Sequence, residues 1–376
     1  MAEAPTGEPK LQLYLGPIVG VLVLLFALTH AYERAELVSY DWRFNIRNSI
    51  FGLPKMDSRL GTIEIDDQTL EVEGRWQDWT RTEYVDVVRI LGEYGAAMIG
   101  FDIYFIEPKT KLVSEKQLRA LQNIDQAGID GLLAKADYDN RFRHAIDEAD
   151  NVYLAQYLIK QAKDDEGPIE YTPLSADQEQ VIAHFRANSP KLMVPAEEST
   201  IRRAKHFEPP LKLLREAARG YANAQTEEDF DGSRRRYPLV YQYKDMLFPS
   251  IGLVMVCDLL DVPISSVEVW PGDHVRLPSA KATDGATRDI EIPIDDTGTM
   301  HVNWAGKWEE TFTRYPHLAL RRAAQREDRQ RILEKIKGLV AADPGLRRQL
   351  RQLPAILATE GLDDDRANKS AVTTWL

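Results

Sequence analysis

Three carboxylates stand where chemistry could be done. Asp66 and Asp67 close the β-rich run LGTIEI (60–65), and Asp102 sits inside the apolar run IGFDIYF. Brought together, such groups could move protons or hold a divalent cation. In an open parallel sheet ligands collect beyond the carboxyl ends of strands, which is where Asp66 and Asp67 fall. The same pair also suits a simpler arrangement, with one side chain capping the next helix and the other solvated. Asp102 in a buried strand needs a cationic partner, since an unpaired buried carboxylate is costly. Arg43, Arg75, Arg81 and Arg235 are the candidates. A structural ion pair joining strand to loop competes there with a binding role.

A second group lies between Gly74 and Arg81, where Arg75, Trp76, Trp79 and Arg81 share eight residues. That mixture can stack on a planar ligand or clamp an anion, and it can equally pin a loop through its indoles. Asn303, followed by Trp304 and Gly306, is expected at another strand end near the same crevice. The ligand-binding candidates are therefore Asp66, Asp67, Arg75, Trp76, Trp79, Arg81, Asp102 and Asn303. Seven histidines are scattered without His-x-x-x-His or His-Glu-x-x-His spacing, and no nucleophile-elbow, phosphate-loop or dinucleotide motif occurs. No catalytic residue, metal ligand or cofactor is assigned. Arg234, Arg235 and Arg236 read as a hairpin edge kept soluble by charge.

The elements that must position these residues follow an α/β pattern. Strand 60–65, a helix carrying Tyr84, Val87, Val88 and Leu91, and strand 96–106 read as a βαβ unit with a parallel pair. Thr80 and Glu83 fit a capping box at the head of that helix. A helix over 139–149 and a strand over 152–159 continue the series. Two polar inserts, near 107–138 and 161–206, interrupt it. A helix over 209–219, a hairpin over 234–248 turning at Lys244-Asp245, an apolar helix over 250–260 and strands near 266–270, 274–277, 289–294 and 299–304 complete it. From 318 the chain becomes Arg-rich and helical, with Ile332, Leu333, Ile336, Leu339 and Val340 forming a stripe. Its face is either solvated or docks on a second copy, so a homodimer is the expected assembly. The fold class is a mixed, largely parallel sheet flanked by helices, with antiparallel hairpins and one N-terminal transmembrane helix.

That helix is residues 11–32, LQLYLGPIVGVLVLLFALTHAY, which hold no Asp, Glu, Lys or Arg. At about 1.5 Å per residue the stretch is roughly 33 Å long as a helix, against about 30 Å for a hydrocarbon core. Glu3 and Glu8 precede it beside Lys10, and Thr29-His30-Ala31 makes a poor cleavage site, so an uncleaved anchor after a short tail (1–10) is expected. Arg34, Arg43 and Arg47 beyond the span outnumber Lys10 before it, and loop charge leaves the orientation open. Of 376 residues 44% are hydrophobic, enough for a core. The formal net charge of −12 disfavours nucleic acid as a partner. The single cysteine, Cys257, permits no internal disulfide.

The order of motifs resembles the type-two CHASE domain, an extracytoplasmic sensory domain of bacterial membrane receptors. The matching pieces are DWRFNIR (41–47), IEIDDQTL (63–70), GRWQDWTR (74–81), GAAMIGFDIYFIEP (95–108), YPLVYQY with FPSIGLVMV (237–256), and IPIDDTGTMHVNWAG (292–306). The resemblance implies a sensor over 33–317 outside the cytoplasmic membrane, held by the entry helix. It also implies return spans and a cytoplasmic nucleotide cyclase, diguanylate cyclase or kinase. Residues 318–376 fall where the family completes its domain, so the chain is expected to be a fragment of a longer receptor or an insert-bearing relative. The expected partner is an unidentified small-molecule or envelope signal. Two other classes compete: a carboxylate- or metal-dependent hydrolase using Asp66, Asp67 and Asp102, and an envelope scaffold binding through 318–376.

Overall fold

The computed structural model describes residues 16–21, 23–25, 30–53, 57, 59–109, 126–161, 167–229, 231–282, 284–304, 306 and 311–342. The chain divides into two compact units: Met1–Thr62 with Val302–Arg314, and Ile63–His301 with Tyr315–Leu376. Among the described residues, 315–342 fall in the second unit.

In the first unit, helix α1 (His30–Phe51) presents Tyr40 and Arg47 to the returning segment. Tyr40 Oη donates to the Val302 carbonyl at 2.6 Å, and Arg47 Nη2 donates to the Trp304 carbonyl at 2.6 Å. Away from that face, Val38, Trp42, Ile46 and Ile50 recur at four-residue spacing and are exposed. The expected span 11–32 lies partly outside the described residues. Residues 16–21 and 23–25 are helical, with Ile18, Val19, Val21, Val23, Leu24 and Leu25 exposed. No helix among the described residues is long and apolar enough to cross a membrane.

The second unit is mixed α/β. Strands β2 (Ile99–Tyr104), β3 (Val152–Lys160) and β6 (Gly220–Asn223) run parallel with β3 central, and the far half of β3 pairs antiparallel with β5 (Ala204–Glu208). Short β1 (Gly61–Glu64) pairs with β14 (Thr313–Pro316), so β2 takes its parallel partner from β3 and not from the strand before it. The βαβ unit expected over 60–106 is thus displaced one element along the chain: its crossover holds α4 (Gln126–Lys135) and α5 (Tyr138–Ala149). β4 (Lys191–Leu192) runs parallel beside β10 (Glu268–Trp270), while the pairs of β10 with His274–Lys281, His274–Lys281 with Thr287–Pro293, Arg236–Pro238 with Thr299–His301 and Val240–Tyr243 with Met246–Pro249 are antiparallel, which corrects the expectation of a largely parallel sheet.

Three apolar clusters fill this unit. The first lies between β2, β3 and the helices α3 (Thr82–Glu93) and α5, around Val88, Phe105, Phe142, Ile146 and Leu154. The second packs α6 (Ala176–Ala187) on β5 and the hairpin of β8 (Val240–Tyr243) and β9 (Met246–Pro249), which turns at Lys244-Asp245 as expected. The third lies under β10, β11 (His274–Lys281), β12 (Thr287–Pro293) and helix α8 (Ile251–Leu259). Between β12 and β13 (Thr299–His301), Gly298 has φ +83°, and a Cβ there would stand 3.2 Å from the Val240 carbonyl, so only glycine makes this turn. The helix expected over 209–219 shortens to α7 (Lys212–Arg215), because Gly220 already opens β6.

Candidate functional site

The anticipated site residues take separate places. Asp66 is the N-cap of α2 (Asp67–Glu73), accepting the Thr69 amide at 2.8 Å, so its carboxylate serves the helix start, and Asp67 is exposed in the first turn. The Thr69 hydroxyl in turn accepts the Leu318 amide at 3.4 Å, tying α2 to the head of α9 (His317–Ala342). Arg75 is exposed. Trp76 is half exposed and donates through Nε1 to Tyr84 Oη at 2.7 Å, whereas Trp79 is buried, donating to the Gly74 carbonyl and lying 5.0 Å from the His317 ring. Only one of the two indoles is therefore a buried pin.

Arg81 is 5% exposed, and it faces the core, not solvent. Its Nε donates to Asp139 at 3.0 Å, its Nη2 to the Glu107 carbonyl at 2.7 Å, and its guanidinium lies 4.6 Å from the Phe105 ring. It makes a structural ion pair joining the starts of α3 and α5, with Asp139 and not with Asp102. Asp102 is exposed on β2, on the face it shares with Gly100, against which Met255 of α8 packs. Partial desolvation pushes its carboxyl upward, and Arg234 pulls it back; none of the four arginines expected beside it takes that part. Asn303, in the first unit, accepts a hydrogen bond from Arg47.

What the parallel strands do converge on is a pocket of about 300 Å³ beyond the carboxyl ends of β3 and β6. Lys160 ends β3; Thr226, Glu227 and Glu228 follow β6; Arg202 precedes β5, and Arg234 precedes β7 (Arg236–Pro238). Glu227 is nearly buried, forms an ion pair with Arg202, stands 3.7 Å from Lys160 Nζ, and accepts the Tyr241 hydroxyl at 2.8 Å. Desolvation lowers the pKa of both Lys160 and Arg202, and for Lys160 the neighbouring Arg202 pushes the same way. At the rim Arg234 pairs with Glu228 at 2.6 Å. The lining is charged and internally paired, and no group of residues able to hold a metal ion occurs among the described residues.

The strand-end rule led to Asp66 and Asp67 after β1, whereas the pocket described here lies after β3 and β6. Lys160 carried a signal in sequence, a lone cation terminating VYLAQYLIK. Arg202 and Glu227 carried none, because their meeting is made by pairing between distant segments. The Arg234–Arg236 run is also more than edge charge: Arg235 is buried against Asp229 and Asp231, and Arg236 pairs with Asp229.

The second unit is thus an α/β unit with a polar pocket beyond the carboxyl ends of two parallel strands. The CHASE2 domain family model matches residues 18–338, and the chain belongs to that family. CHASE2 domains are extracytoplasmic and sensory, not catalytic. No curated protein and no solved structure matched the chain.

Proposed function

We propose that this chain is the signal-receiving part of a bacterial membrane receptor, anchored by residues 11–32, with its second unit outside the cytoplasmic membrane. On this reading the pocket at Lys160, Arg202 and Glu227 takes a small molecule, and the response passes inward to a nucleotide cyclase, diguanylate cyclase or kinase. The carrying observation is the pocket's position at the strand ends of a domain whose family is sensory. The uncharged run 11–32 and the exposed apolar side chains at 18–25 support the anchor. The exposed stripe Val38, Trp42, Ile46 and Ile50 on α1 is the surface a second copy would cover. Sedimentation of a Trp42→Glu variant checks that assembly, with monomer expected where wild type gives dimer.

The test of the sensory role is a chimaera in which this chain replaces the input domain of a membrane adenylate cyclase. Lys160→Met in the pocket should alter cyclase output at least about threefold, the effect of a modest two-state bias. Equal output at equal membrane levels would count against it.

A further inference from the structure

We infer that the pocket at the ends of β3 and β6 binds a small hydrophilic oxyanion, bearing carboxylate or phosphate. The inference names a ligand class for the sensory reading and rests on it. Three observations carry it. Lys160 and Arg202 share one carboxylate, Glu227, while Arg234 is matched by Glu228 at the rim, so three cations face two anions. The lining alone therefore carries +1 in a chain whose net charge is −12, with Asp229, Asp295 and Arg236 also acting on Arg202 and Asp102 on Arg234. A positive recess on an acidic protein is a local reversal of sign that concentrates anions. Second, the two cations are partly screened from water, their side chains 32% and 22% exposed, so an incoming anion would replace hydration they have already lost. The lowered pKa of Lys160 has the same origin. Third, the volume of about 300 Å³ and the charged and polar lining, with the Thr226 hydroxyl among the groups present, suit a compact polar ligand.

A cation is the wrong occupant: Glu227 is already paired to Arg202, approached by Lys160 and bonded by Tyr241. Glu227 instead acts as an internal competitor for the two cations. Its removal should therefore strengthen anion binding, whereas removal of Lys160 should weaken it. A residue pair serving only to hold the fold would not give effects of opposite sign.

The experiment is calorimetric titration of the full chain in detergent or nanodiscs with succinate, inorganic phosphate and the neutral diamide of succinate. Saturable binding of succinate or phosphate is expected, and which of the two binds assigns the carboxylate or the phosphate source. Lys160→Met should weaken that binding by roughly tenfold and Glu227→Gln should tighten it by roughly threefold, as for a desolvated charge pair. The inference is overturned if neither anion binds up to about 10 mM, a limit of about −2.7 kcal/mol. It is equally overturned if the diamide binds as well as succinate, or if both variants shift affinity in the same direction. Binding with these signs but no pocket-dependent output in the cyclase chimaera would sink the sensory reading alone. Pocket-dependent output without anion binding would sink only the ligand class.

Discussion

Arg81 and Lys160 are both cations beside aromatic rings, and burial separates their roles. Arg81 commits Nε to Asp139 and Nη2 to the Glu107 carbonyl, with its guanidinium over the face of Phe105. Arg81→Ala would strand Asp139, itself 8% exposed, as an uncompensated charge, so a loss of about 3–5 kcal/mol in denaturant unfolding is expected. A loss under about 1 kcal/mol would return Arg81 to the list of ligand-facing groups. His317 gives a second residue-scale expectation. It is 3% exposed between Trp79 and Tyr84, and neither ring nitrogen has a hydrogen-bond partner of ordinary geometry among the described residues. Burial, with Arg321 pushing the same way, lowers its pKa from 6.5 to about 4. The unfolded chain then takes up the proton at higher pH than the fold does, so stability is full above pH 6.5 and drains away as pH falls toward 4. Between pH 7 and pH 5 this imidazole should cost roughly 2 kcal/mol, and His317→Leu should remove that part of the pH dependence. Parallel stability curves for the two proteins would contradict it. Asp66 was legible as a cap from its place after a strand, but nothing around His317 in sequence betrays its burial, because Trp79 and Tyr84 reach it from more than 200 positions away.

At the scale of elements, α9 is held to α2 and α3 by charge. Arg321 pairs with Glu73 and Asp86 in a nearly buried cluster, while Arg89–Asp328 at 2.7 Å and Arg331–Glu93 at 2.8 Å lie nearer solvent. Arg321→Ala should cost about 3 kcal/mol and Arg331→Ala less than about 1, with only the second effect erased by high salt. Equal effects of the two substitutions in urea titrations would refute this division. The helix over 318–342 was readable from its composition, and so were α5, β3, α8 and the hairpin, since each is specified by local period and turn residues. Partners were not readable. β1 joins a strand some 250 residues later, and α9 returns to a helix as distant, so local pattern gave the elements and misjudged the first parallel pair. The head of α3 differs by less: Thr80 bonds both Glu83 and the Thr82 amide, and the helix proper begins at Thr82.

For the molecule as a whole, the family places the sensory function, and the described residues supply a pocket whose charge opposes that of the chain. The central claim is that this pocket faces the exterior of the cell. Cysteine chemistry tests it directly, because the native thiol, Cys257, is 2% exposed and burial pushes its pKa up to about 12, leaving it nearly unreactive. Thr226 is exposed at the pocket and tolerates exchange for a residue of similar size. A Thr226→Cys variant in intact spheroplasts should be labelled by a membrane-impermeant maleimide before lysis, as fully as after it. Labelling that appears only once the membrane has been broken would contradict the account.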